Sequence, residues 1–195
     1  MNYLAHAYLS FHHPEILVGN MISDFVKGKS RLGYSVGVQK GITLHRLIDD
    51  YTDSHSATLQ AKTIFHPYYR LYSGALVDVV YDHFLANDHS IFTEASLYQF
   101  TQTVYQTLEQ YHMQLPTRFL LMLPYMKAEN WLYNYRTKEG IGKSIRGLVR
   151  RSAYLTDYET AILLLNENYD FLESCYQLFI KDVKSFAEDQ LSKQD

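Results

Sequence analysis

Three short segments of the chain carry metal-ligand side chains at helical spacing. They are Asn20 and Asp24 in GNMISDFVKG, His45, Asp49 and Asp53 in HRLIDDYTD, and Asp78 and Asp82 in DVVYDH. Side chains four residues apart project from the same face of an α-helix. Imidazole and carboxylate groups that converge from several helices of a bundle form divalent-metal sites. The segments therefore predict a metal-dependent hydrolase, with His6 in MNYLAHAYL as a candidate for a further ligand.

Asp78 and Asp82 interrupt an otherwise apolar segment, VDVVYDHFL, which reads as a helix buried on most sides. An aspartate in such a helix must be paired, hydrogen-bonded or bound to a metal, because an isolated buried charge is too unfavourable. His83 lies about 100° around the helix from Asp82 and is a candidate for a ligand, a partner of a ligand or a proton donor. The alternative is a buried network with arginine or tyrosine that has no part in chemistry.

His45 and Asp49 lie one turn apart at the edge of an apolar stripe, where a histidine can equally be a hydrogen-bonded structural residue. Asp24 comes late in its predicted helix, where the carbonyl end disfavours a negative charge. A metal ion or nearby lysines would offset that charge, unless Asp24 is simply exposed. Arg46 could hold a phosphate through its planar guanidinium, or it could be a surface arginine.

The hydrophobic periodicity predicts an all-α chain. We expect helices over about residues 2–10, 14–27, 36–52, 56–65, 72–86, 93–113, 118–126 and 129–136, and one long helix over about 157–191. Residues 137–151 are basic and interrupted by glycines. No linker or repeat is evident, so we predict one helical domain over 1–195, with the motifs in 1–151.

The composition argues against several other classes of protein. A net charge of −3 does not favour general nucleic-acid binding. The sequence has no stretch of about 18 uncharged apolar residues, so we expect no membrane span. The single cysteine and the lack of a signal-peptide pattern favour the reducing cytoplasm. Local charge is more informative, because two basic clusters could meet an anionic partner or form solvated faces. They are Lys27, Lys29 and Arg31, and Lys143, Arg146, Arg150 and Arg151.

Five motifs together resemble the acyl carrier protein phosphodiesterase family in residue type, order and approximate spacing. They are MNYLAHAYLS, GNMISDFVKG, GITLHRLIDDYTD, DVVYDHFL and GLVRRS, which extend from residue 1 to about 151. Each motif is moderately specific alone, and the ordered set is strong. The resemblance implies an all-α bundle distantly similar to the metal phosphohydrolases named for a His-Asp doublet.

The activity implied by the resemblance is removal of the 4′-phosphopantetheine arm from holo acyl carrier protein, with Mn²⁺ as the favoured ion and Mg²⁺ or Fe²⁺ as alternatives. The motif positions are His6, Asp24, His45, Asp49, Asp78, Asp82 and His83. Two departures stand out. The doublet is reversed, as Asp82-His83, and Thr43 stands where some relatives are expected to carry a histidine.

On this reading, one or two ions are held by His6, Asp24, His45 and Asp82, with help from Asp49 or Asp78. His83 would protonate the departing serine oxygen, and Arg46 or Arg150 would steady the phosphate. The basic clusters would dock the acidic carrier protein. Two alternatives stay open: a phosphohydrolase of a nucleotide or another small phosphoester, and a helical adaptor that binds an acidic partner without catalysis.

Overall fold

The computed structural model describes residues 1–152 and 157–193, apart from the side chain of Arg151. Within these residues the regular structure is entirely helical, which confirms the predicted fold class. The α-helices are α1 (Tyr3–Tyr8), α2 (Pro14–Ile22), α3 (Val36–Ser54), α4 (Ser56–Tyr69), α5 (Ser73–Asn87), α6 (Glu94–Gln110), α7 (Thr117–Ala128), α8 (Trp131–Asn134), α9 (Lys138–Arg151), α10 (Glu159–Glu167) and α11 (Tyr169–Ser192). Short 3₁₀ segments join several of them.

Helix α5 lies at the centre of the bundle. Its apolar residues are buried on most sides, as the largely apolar pattern of this segment predicts. Helices α1, α4, α9 and α11 pack around it. In the part of the chain that the structure describes, no helix has the length and apolar character that crossing a bilayer requires.

Helices α2 and α3 approach each other so closely that their backbones touch. A side chain at Gly19 would collide with the Val38 carbonyl, and one at Gly41 would collide with the Ile16 carbonyl. Two glycines facing each other therefore permit the contact. Because of this contact, side chains of α3 reach the backbone of α2, which determines the geometry of the site described below.

Several sequence-predicted elements are confirmed with small shifts in their ends. Pro14 opens α2, and the predicted helices at 36–52 and 72–86 appear as α3 and α5. Thr93 caps α6, where its hydroxyl accepts from the Ser96 N–H and the Ser96 hydroxyl accepts in return from the Thr93 N–H. This reciprocal arrangement satisfies backbone donors that have no partner in the first turn.

The predicted extension of α2 to residue 27 is wrong. The α-helix ends at Ile22, and residues Ser23–Phe25 form a 3₁₀ turn. Tertiary packing overrides the helical pattern here, because Val26 is buried in the core and the Phe25 ring packs edge-on against Phe119 with centroids 5.4 Å apart. Asp24 therefore does not lie one helical turn above Asn20.

The C-terminal half departs from prediction in two places. The expected long helix over 157–191 is divided at Asn168, whose side chain donates to the Leu164 carbonyl at 2.9 Å and so competes with helix continuation. The glycine-interrupted stretch after residue 137 is helix α9, in which Gly140 allows close contact with the Asn134 carbonyl. The sequence offers Thr156 or Asp157 as the cap of the predicted helix over 157–191. Thr156 lies outside the described residues, and Asp157 accepts from two backbone N–H groups at the start of α10.

Candidate metal centre

Helices α1 and α3 bring His6, His45 and Asp49 together. One ligand atom from each lies within 4.8 Å of the others, and the two imidazole rings stack with centroids 3.9 Å apart. His45 and Asp49 lie one turn apart on α3, whereas His6 comes from α1. The helical spacing predicted that His45 and Asp49 share one face of α3, and the packing of α1 against the bundle brings the His6 imidazole beside them.

Asn20 on α2 holds both histidines in place. The His6 Nδ1–H donates to Asn20 Oδ1 at 2.8 Å, and Asn20 Nδ2 donates to the His6 carbonyl at 2.9 Å. The His45 Nδ1–H donates to the backbone carbonyl of Asn20 at 2.7 Å. Because Nδ1 of each ring faces an acceptor, the proton of each neutral imidazole is on Nδ1 and the lone pair is on Nε2.

The two Nε2 atoms point at carboxylate oxygens. His6 Nε2 lies 3.2 Å from one Asp49 oxygen, and His45 Nε2 lies 3.1 Å from the other. Both nitrogens are buried, and neither makes a hydrogen bond within the described residues. A nitrogen lone pair and a carboxylate oxygen that face each other repel unless a proton or a metal cation lies between them. The donor set therefore fits a divalent metal ion.

Without a metal ion, the charges of the centre depend on the pKa values of His6, His45 and Asp49. Burial lowers the pKa of His6 to about 4, and the positive charge of His45 acts in the same direction. Burial alone would also lower the pKa of His45, but the carboxylates of Asp24 and Asp49 outweigh it and raise that pKa to about 9. Burial opposes ionisation of Asp49, yet the two imidazoles hold its pKa well below the usual range. At neutral pH the metal-free centre thus carries one imidazolium, on His45.

Further charged groups line the same cavity, which has a volume of about 460 Å³. The Asp24 carboxylate lies at its exposed edge, 3.4 Å from His45 Nε2, and this imidazole lowers the Asp24 pKa. Asp78 pairs with the N-terminal ammonium of Met1 at 3.0 Å, and the same ammonium lies 3.4 Å from Asp49. Burial lowers the pKa of this ammonium, but Asp78 and Asp49 outweigh burial and raise it to about 10.

The structure does not bring Asp82 and His83 into the centre. Both oxygens of Asp82 accept backbone N–H groups of α1, from Leu4 at 2.8 Å and from Ala5 at 3.1 Å, so this carboxylate holds the start of the helix that carries His6. His83 Nδ1 lies 2.7 Å from the Tyr135 carbonyl, and its Nε2 lies 2.9 Å from the Tyr169 hydroxyl. In this structure both side chains therefore lie in a buried hydrogen-bond network outside the cluster of His6, His45 and Asp49, Asp82 through backbone N–H groups and His83 through a carbonyl and a tyrosine hydroxyl. The roles of Asp82 as a ligand and of His83 as a proton donor stay predictions.

The two arginines expected to hold phosphate lie elsewhere as well. Arg46 donates to the Val26 carbonyl at 3.1 Å, and Arg150 is exposed near the end of α9. The arginine that lines the cavity with His6 and His45 is Arg118, near the start of α7. The sequence offers no signal for it, because one arginine after a proline resembles any surface arginine.

Comparison with known proteins matches this chain to one family over nearly all of its length. The family model described as acyl carrier protein phosphodiesterase matches residues 1–183. A protein named acyl carrier protein phosphodiesterase from Enterobacter sp. (strain 638) is 32% identical over 180 residues, covering 92% of this chain and 93% of that protein. Proteins of the same name from Photorhabdus laumondii and Serratia proteamaculans are 28% and 30% identical over 191 residues. Each of these alignments covers 97% of this chain, with 96% of the first protein and 99% of the second.

No solved structure shows significant similarity to the chain.

Proposed function

The chain belongs to the acyl carrier protein phosphodiesterase family, and on that premise we propose that it hydrolyses the phosphodiester between a carrier-protein serine and 4′-phosphopantetheine. The products would be apo acyl carrier protein and the free phosphorylated arm. The observation that carries the proposal is the cluster of His6, His45 and Asp49, whose unpaired Nε2 atoms face one carboxylate inside a cavity large enough for a phosphodiester.

We assign the first coordination shell to His6 Nε2, His45 Nε2 and Asp49, with Asp24 close enough to add an oxygen. Two imidazoles with carboxylate oxygens suit Mn²⁺ or Fe²⁺, and an oxygen-rich remainder of the shell would suit Mg²⁺. We propose Mn²⁺. A bound divalent ion acidifies water and neutralises negative charge on a phosphoryl group.

The protein's own residues would orient the substrate around that ion. Arg118 lines the same cavity from α7, so its guanidinium would hold the non-bridging phosphate oxygens. The Asp24 carboxylate, ionised beside His45, is placed to accept a proton from the attacking water or to bind the ion. Asn20 fixes both imidazoles through Nδ1 and leaves their Nε2 atoms directed into the cavity.

Docking of an acidic carrier protein would use the basic rim of the cavity. Lys27, Lys29 and Arg31 are exposed and follow directly after Asp24, so their charges lie beside the entrance. Arg150 is a second exposed cation, on the α9 side. Rim charges of this kind mainly raise the association rate, and their effect weakens with salt.

The test is to incubate the purified protein with holo acyl carrier protein and Mn²⁺ and to weigh the carrier protein by mass spectrometry. We expect conversion to the apo form, which stops on chelation and returns on adding Mn²⁺. The matched control is Asp49→Asn, which keeps the size of the side chain but removes its charge. Turnover of small phosphoesters with an intact holo carrier would favour the small-molecule phosphohydrolase instead. Tight carrier binding without turnover or metal uptake would favour the adaptor.

A further inference from the structure

Two clefts adjoin the metal cavity on different sides. The first shares Asn2 and Tyr3 with the cavity and runs along α8 and α9. The second shares Ala75 and Asp78 with it and runs along α4. A phosphodiester has two substituents, and a cavity that holds its phosphorus must accommodate both, the serine that leaves and the arm that stays on the phosphate. The chemistry of the two clefts indicates which substituent each receives.

The first cleft, which we call the arm cleft, is lined mainly by aromatic, amide and hydroxyl side chains. Its walls include Tyr3, Trp131, Tyr135, Asn134 and Ser144, and its volume is about 140 Å³. Hydrogen bonds fix these walls, since Asn2 Nδ2 donates to the Tyr135 hydroxyl at 2.9 Å. The charged residues at this cleft, Glu129 and Lys143, are exposed, and Lys143 is paired with Glu139 at 2.9 Å. The interior of the cleft therefore suits a neutral ligand that carries both methylene and amide groups.

The second cleft is charged and open. Lys62, His66 and Arg70 line it together with Asp53 and Asp78, and Lys62 is paired with Asp53 at 2.6 Å. Its volume is about 530 Å³. A neutral chain of amides would have to displace hydration from several ionic groups there without compensating charges of its own. A wide entrance lined by charges of both signs instead suits the polar protein side of the substrate.

We propose, resting on the proposed function, that the arm cleft binds the pantetheine portion of the substrate, a neutral chain with two amides and a terminal thiol. Its methylene groups would pack on Tyr3 and Trp131, and its amides would meet the polar groups of Asn134 and Ser144. A cavity of about 150 Å³ holds a ligand of roughly benzene size. The arm cleft therefore receives the thiol-bearing end, while the phosphate-proximal part stays in the metal cavity and the serine leaves toward α4.

Trp131 makes the proposal measurable without catalysis, because it is the single tryptophan of the chain and lines the arm cleft. Titration of the metal-free protein with D-pantetheine should change the intrinsic fluorescence of Trp131 and saturate. Ser144→Leu, which fills the cleft from α9, should abolish that response. Thr63→Leu is the matched control, since it places the same side chain in the second cleft and should leave the response unchanged.

A kinetic experiment with two substrates is the second test of the arm cleft. Ser144→Leu should lower kcat/KM for holo acyl carrier protein by about tenfold or more, the kind of loss expected when binding remote from the reacting bond is removed. It should leave hydrolysis of bis(4-nitrophenyl) phosphate, which has no arm, unchanged. If Ser144→Leu fails to fold by circular dichroism, Ser144→Val, which adds less bulk, replaces it.

Failure of this proposal and failure of the proposed function give different results. Unchanged pantetheine binding in the Ser144 variant, or its loss in Thr63→Leu alone, overturns the arm cleft even if the carrier protein is cleaved. A wild-type protein that leaves holo carrier protein intact overturns the proposed function. The Ser144-dependent fluorescence response would still support the arm cleft in that case.

Discussion

Asn20→Ala is the most demanding test of the metal centre, because Asn20 contacts both histidines and is not itself a ligand. The substitution removes the oxygen that accepts from His6 Nδ1 and the amide that donates to the His6 carbonyl and to Ser10 Oγ. It leaves the backbone carbonyl that accepts from His45 Nδ1. His6 thus loses the hydrogen bond at its Nδ1, whereas His45 retains the one at its own Nδ1.

The expected magnitudes follow from these contacts. Three hydrogen bonds among fully buried groups are lost, and a typical one contributes about 0.5–1.5 kcal/mol to stability, with more lost where a buried partner remains unpaired. We therefore expect the free energy of unfolding to fall by roughly 2–4 kcal/mol. His6 becomes free to rotate or to change its tautomer, so the affinity for Mn²⁺ should fall by about 10- to 100-fold.

The assay is titration of Mn²⁺ into the chelator-treated protein by electron paramagnetic resonance, together with urea unfolding. Ser10→Ala is the control, because it leaves both contacts between Asn20 and His6 and removes only the two hydrogen bonds of Ser10 Oγ, which accepts from Asn20 Nδ2 and donates to the His6 carbonyl. It should lower the free energy of unfolding by roughly 1–3 kcal/mol and leave metal affinity nearly unchanged, because the contact at His6 Nδ1 is intact. Wild-type Mn²⁺ affinity in Asn20→Ala would refute the view that Asn20 sets the ligand geometry.

Three further predictions test the remaining parts of the site. Arg118→Ala should lower kcat/KM for the phosphodiester by about 10- to 100-fold, because a charged hydrogen bond to the phosphate is lost, and Arg118→Lys should recover part of that loss. Equal kcat/KM in the wild type and both variants would exclude a phosphate contact. Asp82→Ala leaves two buried N–H groups of α1 without acceptors and should lower the free energy of unfolding by about 2–5 kcal/mol, with activity retained in the folded fraction; lost turnover at unchanged stability would show that Asp82 acts in chemistry. In metal-free protein burial opposes the charge on His45, but the carboxylates of Asp24 and Asp49 outweigh burial and raise the pKa of His45 from its ordinary 6.5 to about 9. The stabilisation from its ion pairs is therefore complete below pH 6.5 and is lost as the pH rises towards 9, on the order of 2–3 kcal/mol after allowance for the exposed Asp24. Urea unfolding in chelator across this window measures the loss, and His45→Asn should flatten the profile.

Local sequence patterns predicted the elements whose pattern is confined to one helix. The stripes of α3 and α5 indicated their extent, and the spacing of His45 and Asp49 placed two candidate ligands on one face. Elements that depend on distant contacts were not predictable in this way. The end of α2 depends on the burial of Val26, and the break before α11 lets Tyr169 reach His83. No periodicity in the sequence encodes either contact.

The roles of the carboxylates show the same limit more sharply. Asp49 and Asp82 each follow apolar residues within a predicted helix, and the expectation from the sequence placed Asp82 among the main ligands and Asp49 only as possible help. The fold separates them, because Asp49 faces the two imidazoles whereas Asp82 faces the free N–H groups at the start of α1. Which carboxylate meets the cation depends on how the helices are oriented against each other, and that orientation appears only in the packed structure.

The buried polar residues around the centre form one connected scaffold, and this has a consequence for how variants should be interpreted. Asp82 holds the helix that carries His6, Asn20 holds the His6 ring, and the close contact at Gly19 and Gly41 brings His45 to the Asn20 carbonyl. A substitution that removes one member leaves the buried polar partners of that residue without hydrogen bonds, which is unfavourable, so the positions of the other members should change as well. Loss of activity in a variant of the scaffold therefore does not identify a ligand, and direct measurement of bound metal is needed to separate the two roles.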